Sequence, residues 1–118
     1  MPRSTLLTVA LRRQLILNGH KSRSQPGFDP IPVVKLFTPD ASATWLLTEL
    51  NPDNPDLAFG LCDLGLGSPE LGYVSLSEIA SIRGRLGLPV ERDRFFAPTE
   101  PLSVHLQHTW EKGRPSTC

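Results

Sequence analysis

The stretch from Pro32 to Gly87 decides the fold: PVVKLFT (32–38), ATWLLTEL (43–50), LAFGLCDLGLG (57–67) and ELGYVSLSEIASIRGRLG (70–87). Apolar runs of strand length are separated by Pro, Asp and Asn, and the last run changes to a helical pattern. Val33–Thr38 reads as a first strand, and Thr38-Pro39-Asp40-Ala41 as a turn with Pro where a type I turn wants it. Thr44–Leu50 is a second strand, with Trp45 and Leu47 on one face and Leu46 on the other. Asn51-Pro52-Asp53-Asn54-Pro55-Asp56 is a loop, Leu57–Leu64 a third strand and Glu70–Val74 a short fourth. Short turns between neighbouring strands imply an antiparallel meander.

Ser75-Leu76-Ser77-Glu78 is a capping box, with Val74 and Ile79 spaced as a hydrophobic staple. It predicts a helix running to about Leu86 and stopped by Gly87. Upstream, Thr8 is a candidate N-cap and Asn18-Gly19 a stop, which predicts a helix over 9–18 with Gly19 at positive φ. Downstream, Leu88–Ala97 reads as an extended arm, and Pro101 at N1 opens a last helix over 101–112. The fold class expected is therefore α+β: a four-stranded antiparallel meander within 32–75, covered by about three helices. One domain spans 1–118, with a linker-like loop at 20–30 and a frayed tail at 114–118.

The 12 basic and 12 acidic residues cancel, but not locally. No Lys or Arg lies between Leu36 and Ile82, where the charge is −7; the segment before it carries +5 and the segment after it +2. No run of 18 apolar residues spans a membrane, no signal peptide is read at the N-terminus, and Cys62 and Cys118 form no C-x-x-C pair. The natural compartment is the reducing cytoplasm.

VVKLFTPDASATWLLTEL, AFGLCDLGLGSPELGYVSL and RGRLGLPVERDRFF are similar to the domain of unknown function 2958 family, over nearly the whole chain. The family consists of small stand-alone proteins of bacterial plasmids, integrative elements and phage-related islands. The resemblance implies an α+β single domain in a mobile-element setting, and it brings no catalytic residues. His105 and Trp110 depart from the family pattern, which points to a specialised last helix.

Few residues offer chemistry. Cys62 lies mid-strand and reads as a core thiol, inert rather than nucleophilic. His105 and His108 share a helix face, but no third metal ligand accompanies them. Asp53 and Asp56 lack the spacing of a calcium loop, and Gly65-x-Gly67 is a hairpin turn rather than a phosphate loop. No catalytic, cofactor-binding or metal site is expected. The leading expectation is a non-enzymatic protein-interaction module of a mobile element. Its acidic face at Asp53, Asp56, Asp63 and Glu70 would meet a protein with a basic surface. An inhibitor of host defence, of anti-CRISPR or anti-restriction type, is one concrete version. The alternatives are a small enzyme and a nucleic-acid-binding accessory factor. The latter would use Arg83, Arg85, Arg92 and Arg94 on phosphates, with Phe95 and Phe96 stacking on bases. A pI near 6.8 argues against nucleic acid.

Overall fold

In the computed structural model, which describes residues 6–65 and 67–113, the elements run α1 (Val9–Ser24), β1 (Val34–Phe37), β2 (Thr44–Asn51), β3 (Asn54–Asp63), β4 (Glu70–Ser75), α2 (Leu76–Ser81), β5 (Glu91–Arg92) and α3 (Leu102–Gly113). The expected tail at 114–118 lies outside the described residues. All strand pairs are antiparallel, in the order β4-β3-β2-β1-β5. The meander has five strands rather than four. Glu91 and Arg92 of the arm pair with Phe37 and Leu36, an addition too short to leave a pattern in the sequence.

β2 is buried on both faces, which is why its apolar residues run together. On the first face Trp45, Leu47 and Leu50 join Leu15 of α1, Val34 and Leu36 of β1, Ala58 of β3, and Leu76 and Ile79 of α2. On the second face Leu46 and Leu61 meet Leu102 of α3, flanked by Phe59, Phe96 and Leu106. The second cluster is much smaller, so α3 covers only part of its face.

A bulge at Thr48, between the pairs Leu47–Gly60 and Glu49–Phe59, ties α1 to the sheet. The Thr48 carbonyl accepts from Asn18 Nδ2 at 2.9 Å, and the Thr48 hydroxyl donates to the Phe59 carbonyl at 3.2 Å. Buried Glu49 accepts from the Ser22 hydroxyl at 2.6 Å. These bonds correct the reading of Asn18-Gly19 as a stop. α1 continues through both residues to Ser24, so 20–24 is helix and not loop. Gly19 is not among the residues at positive φ. It is glycine because a Cβ there would collide with the Leu50 carbonyl oxygen. Thr8 does cap the helix, its hydroxyl accepting from Leu11 N at 3.1 Å.

α2 begins at its capping box, with Ser75 Oγ accepting from Glu78 N at 3.2 Å. It stops at Ser81, well short of Leu86, because a distant carboxylate captures the backbone beyond it. Asp40 Oδ2 accepts from Leu86 N at 2.6 Å and Leu88 N at 3.4 Å, and a Cβ at Gly84 would overlap the same carboxylate. Gly87, at φ +79°, closes that turn. α3 starts one residue after Pro101. Its first amides bond to the Pro30 carbonyl (from Leu102 N, 2.9 Å) and to Asp29 Oδ1 (from Ser103 N, 3.1 Å). Asp29 is thus an N-cap supplied from a distant segment.

Candidate functional site

The four acids proposed as one face do not converge. Asp53 sits in the two-residue turn between β2 and β3, where Asn51 Oδ1 accepts from the amides of Asp53 (2.9 Å) and Asn54 (3.3 Å). Arg23 of α1 reaches over to donate to Asp53 Oδ2 at 2.9 Å. Asp56, near the start of β3, accepts from the Ser75 hydroxyl (2.7 Å), the Ser77 hydroxyl (2.9 Å) and the Ser77 amide (2.9 Å). Asp63 ends the same strand, its Oδ1 accepting from Gly65 N at 2.9 Å, and Glu70 opens β4 opposite Cys62. Asp56 and Asp63 stand at opposite ends of β3, about 23 Å apart along the strand. α1 carries Arg12, Arg13, Lys21 and Arg23 with no acid, and it lies across β2. The basic start of the chain is thereby folded against one end of its acidic middle.

The Ser75 hydroxyl holds the Asp56 carboxyl below its ordinary pKa against the opposing effect of desolvation. The Ser77 hydroxyl and amide and the Arg12 charge add to the lowering. A depressed carboxyl pKa contributes stability above the unfolded value and loses it as pH falls through the folded one. Asp56→Asn is therefore expected to cost roughly 1 kcal/mol at neutral pH, the net worth of such bonds. The gap to the wild type should close as the solution is acidified below the ordinary carboxylate range. Urea unfolding at a series of pH values measures it. A gap that does not change with pH would contradict this role of the Ser75 and Ser77 bonds to Asp56.

Cys62 is half-buried against the first-face core, opposite Trp45 and Glu70. Desolvation raises its thiol pKa, and the Glu70 charge raises it further. Thiol-reagent labelling of a Cys118→Ser protein should thus be slow in the native state and become fast in urea. Fast native labelling would overturn the assignment. His105 is half-buried and His108 exposed on α3. Among the described residues no three His, Cys, Asp or Glu side chains gather in a metal-holding group.

The basic arm divides by role. Arg83 Nη1 donates to the carbonyls of Ala80 (3.0 Å) and Ile82 (2.8 Å), closing the end of α2. Arg85 is exposed on the turn held by Asp40. Arg92 Nη1 donates to the Leu6 carbonyl at 2.8 Å. Asp93 anchors the arm to β1: its amide donates to the Lys35 carbonyl at 2.9 Å, and its carboxylate lies 3.9 Å from Lys35 Nζ. The same carboxylate accepts from Phe95 N at 2.9 Å. This turn sends the two phenylalanines to opposite destinations. Phe96 packs on the second-face cluster, whereas Phe95 is 93% exposed.

Between this arm and the β1–β2 hairpin lies a groove of about 620 Å³, lined by Lys35, Phe37 and Thr44 on one side and Arg92, Arg94 and Phe95 on the other. Glu91 and Asp93 also line it, so three cations face two acids. Two smaller hollows flank the arm and share Arg92 and Arg94. Sequence reasoning found the arm and missed its opposite wall. The available signal was Lys35 between Val34 and Leu36, which puts Lys35 and Phe37 together on the face of β1 turned away from the main core.

Fold and groove define a small α+β protein whose antiparallel sheet carries its main core on one face and a smaller cluster on the other. The chain belongs to the family described as Protein of unknown function (DUF2958), whose model matches residues 6–115. Among curated proteins and among solved structures, nothing matches it. Among the described residues, no helix is long and apolar enough to cross a membrane.

Proposed function

We propose that the protein is a non-enzymatic interaction module that holds a protein partner in the groove beside β5, with Phe95 as the anchor. The supporting observation is Phe95 itself. A phenylalanine 93% exposed, next to exposed Arg94, stands on a segment fixed by β5 pairing and by docked Phe96. Aromatic side chains are enriched at protein interfaces and Arg in their energetic centres, and a rigid arm reduces the ordering cost of binding. The acid-led version of this function, contact with a basic partner surface, keeps only its Asp63–Glu70 end. The other end is engaged by Arg23, Ser75 and Ser77. In a mobile-element setting the partner would be a host protein, and inhibition of host defence is the narrower form of the same reading.

The pairing of Arg94 with Phe95 also suits single-stranded nucleic acid, by phosphate contact and base stacking. Fluorescence anisotropy with labelled single-stranded DNA and RNA separates the two readings. Counter-charges at Glu91 and Asp93 lead us to expect no binding tighter than micromolar order at physiological salt. Nanomolar binding that weakens steeply with salt and is lost in Arg94→Ala would replace the protein-partner reading. Capture of a protein partner, purified and shown to bind at the same site, supports it.

A further inference from the structure

We infer that β4 is a self-pairing edge, and that two copies of the chain join antiparallel through it into one continuous sheet. The strand order leaves one side of Glu70–Ser75 with no partner among the described residues. Soluble proteins guard such edges with Lys, Pro, bulges or very short strands. The opposite edge is guarded in this way, since β5 is two residues long. β4 has six residues, contains no Lys or Pro, and pairs with β3 in unbroken register from Leu57–Ser75 to Cys62–Glu70. Its second-face side chains stand open, Leu71 at 43% and Tyr73 at 57%. Tyr73 packs edge-on against Phe59, with centroids 5.2 Å apart.

Gly72, at the middle of the strand, has open space beside it. It is not at positive φ, and a Cβ there would meet nothing within 4 Å. Among the described residues nothing requires glycine at that position, whereas a Cβ on Gly60 opposite would collide with the Leu46 carbonyl oxygen. A side chain placed at position 72 stands clear of the described residues and would face its counterpart across an edge pairing centred there.

The strand is self-complementary. With a twofold axis at Gly72, Leu71 of each copy faces Tyr73 of the other on the same side of the sheet. Glu70, the only charge in the strand, then faces Val74, and the two Glu70 side chains stand about 13 Å apart. Parallel in-register stacking would instead set Glu70 against Glu70. Charge thus selects the antiparallel pairing.

Sedimentation velocity on the full chain over a range of concentrations tests this. The wild type should sediment as a dimer. Leu71→Lys should raise the dimer dissociation constant about tenfold or more, through two lost cross-strand pairs and a lysine set into the edge of each copy. A second variant guards against misfolding: Gly72→Cys, in a chain also carrying Cys62→Ser and Cys118→Ser, should form a disulfide-linked dimer on mild oxidation. A wild type that stays monomeric at every concentration overturns the proposal. So does a dimer in which the cysteine at position 72 fails to cross-link.

Discussion

Replacing Phe95 by alanine is expected to weaken partner binding by about 2 kcal/mol or more, roughly thirtyfold in affinity, the cost of truncating a central interface aromatic. Its melting temperature should stay with that of the wild type. The side chain is 93% exposed, so the folded chain loses almost no burial when it is removed. The turn that presents it is also retained, because Asp93 holds the Phe95 backbone amide and not the ring. Phe96→Ala should give the converse result. That ring packs against the Leu46–Leu61–Leu102 cluster, so the variant loses stability first. Isothermal titration of the purified partner into each variant, beside thermal melts, makes the comparison. Equal affinity of wild type and Phe95→Ala would remove the arm from the interface.

Leu47→Ala should cost about 2–5 kcal/mol, the range for a large-to-small change in a packed core. Leu47 is fully buried at the centre of β2, among the largest of the first-face residues. Domains of this kind are stable by about 5–15 kcal/mol, so one deletion removes a large part of the margin. Leu46→Ala, one residue away on the smaller second cluster, should cost less, because its surroundings are thinner and partly open. Urea denaturation measures both. Equal losses would mean that the two sheet faces are packed alike.

The parts of the fold legible in the sequence are those decided by neighbours along the chain. Thr8 and Ser75 cap the helices they precede. Asn51-Pro52-Asp53-Asn54 turns β2 into β3, more tightly than a loop reading suggests. The parts that escaped are decided by contacts across the fold. Asn18-Gly19 has the composition of a helix stop, yet it serves as a docking contact, because its amide side chain and missing Cβ both answer to β2. α2 ends early because of Asp40, which is far away in sequence. β5 exists only because β1 offers it an edge. The acidic run is real as composition, but a ten-residue strand carries its charges to opposite ends, and α1 neutralises one of them. Phe95 and Phe96 are identical neighbours in the sequence, and only the turn at Asp93 tells them apart.

Quantitative affinity capture from a host lysate with three baits tests the central claim most directly: the wild type, Phe95→Ala, and a double charge reversal, Asp63→Lys with Glu70→Lys. All three are first shown to be folded by circular dichroism. The protein enriched by the wild type should be lost from the Phe95→Ala bait and retained by the charge-reversed bait. Retention on Phe95→Ala with loss on the charge-reversed bait would contradict the account and place the contact on the acidic end of β3 and β4.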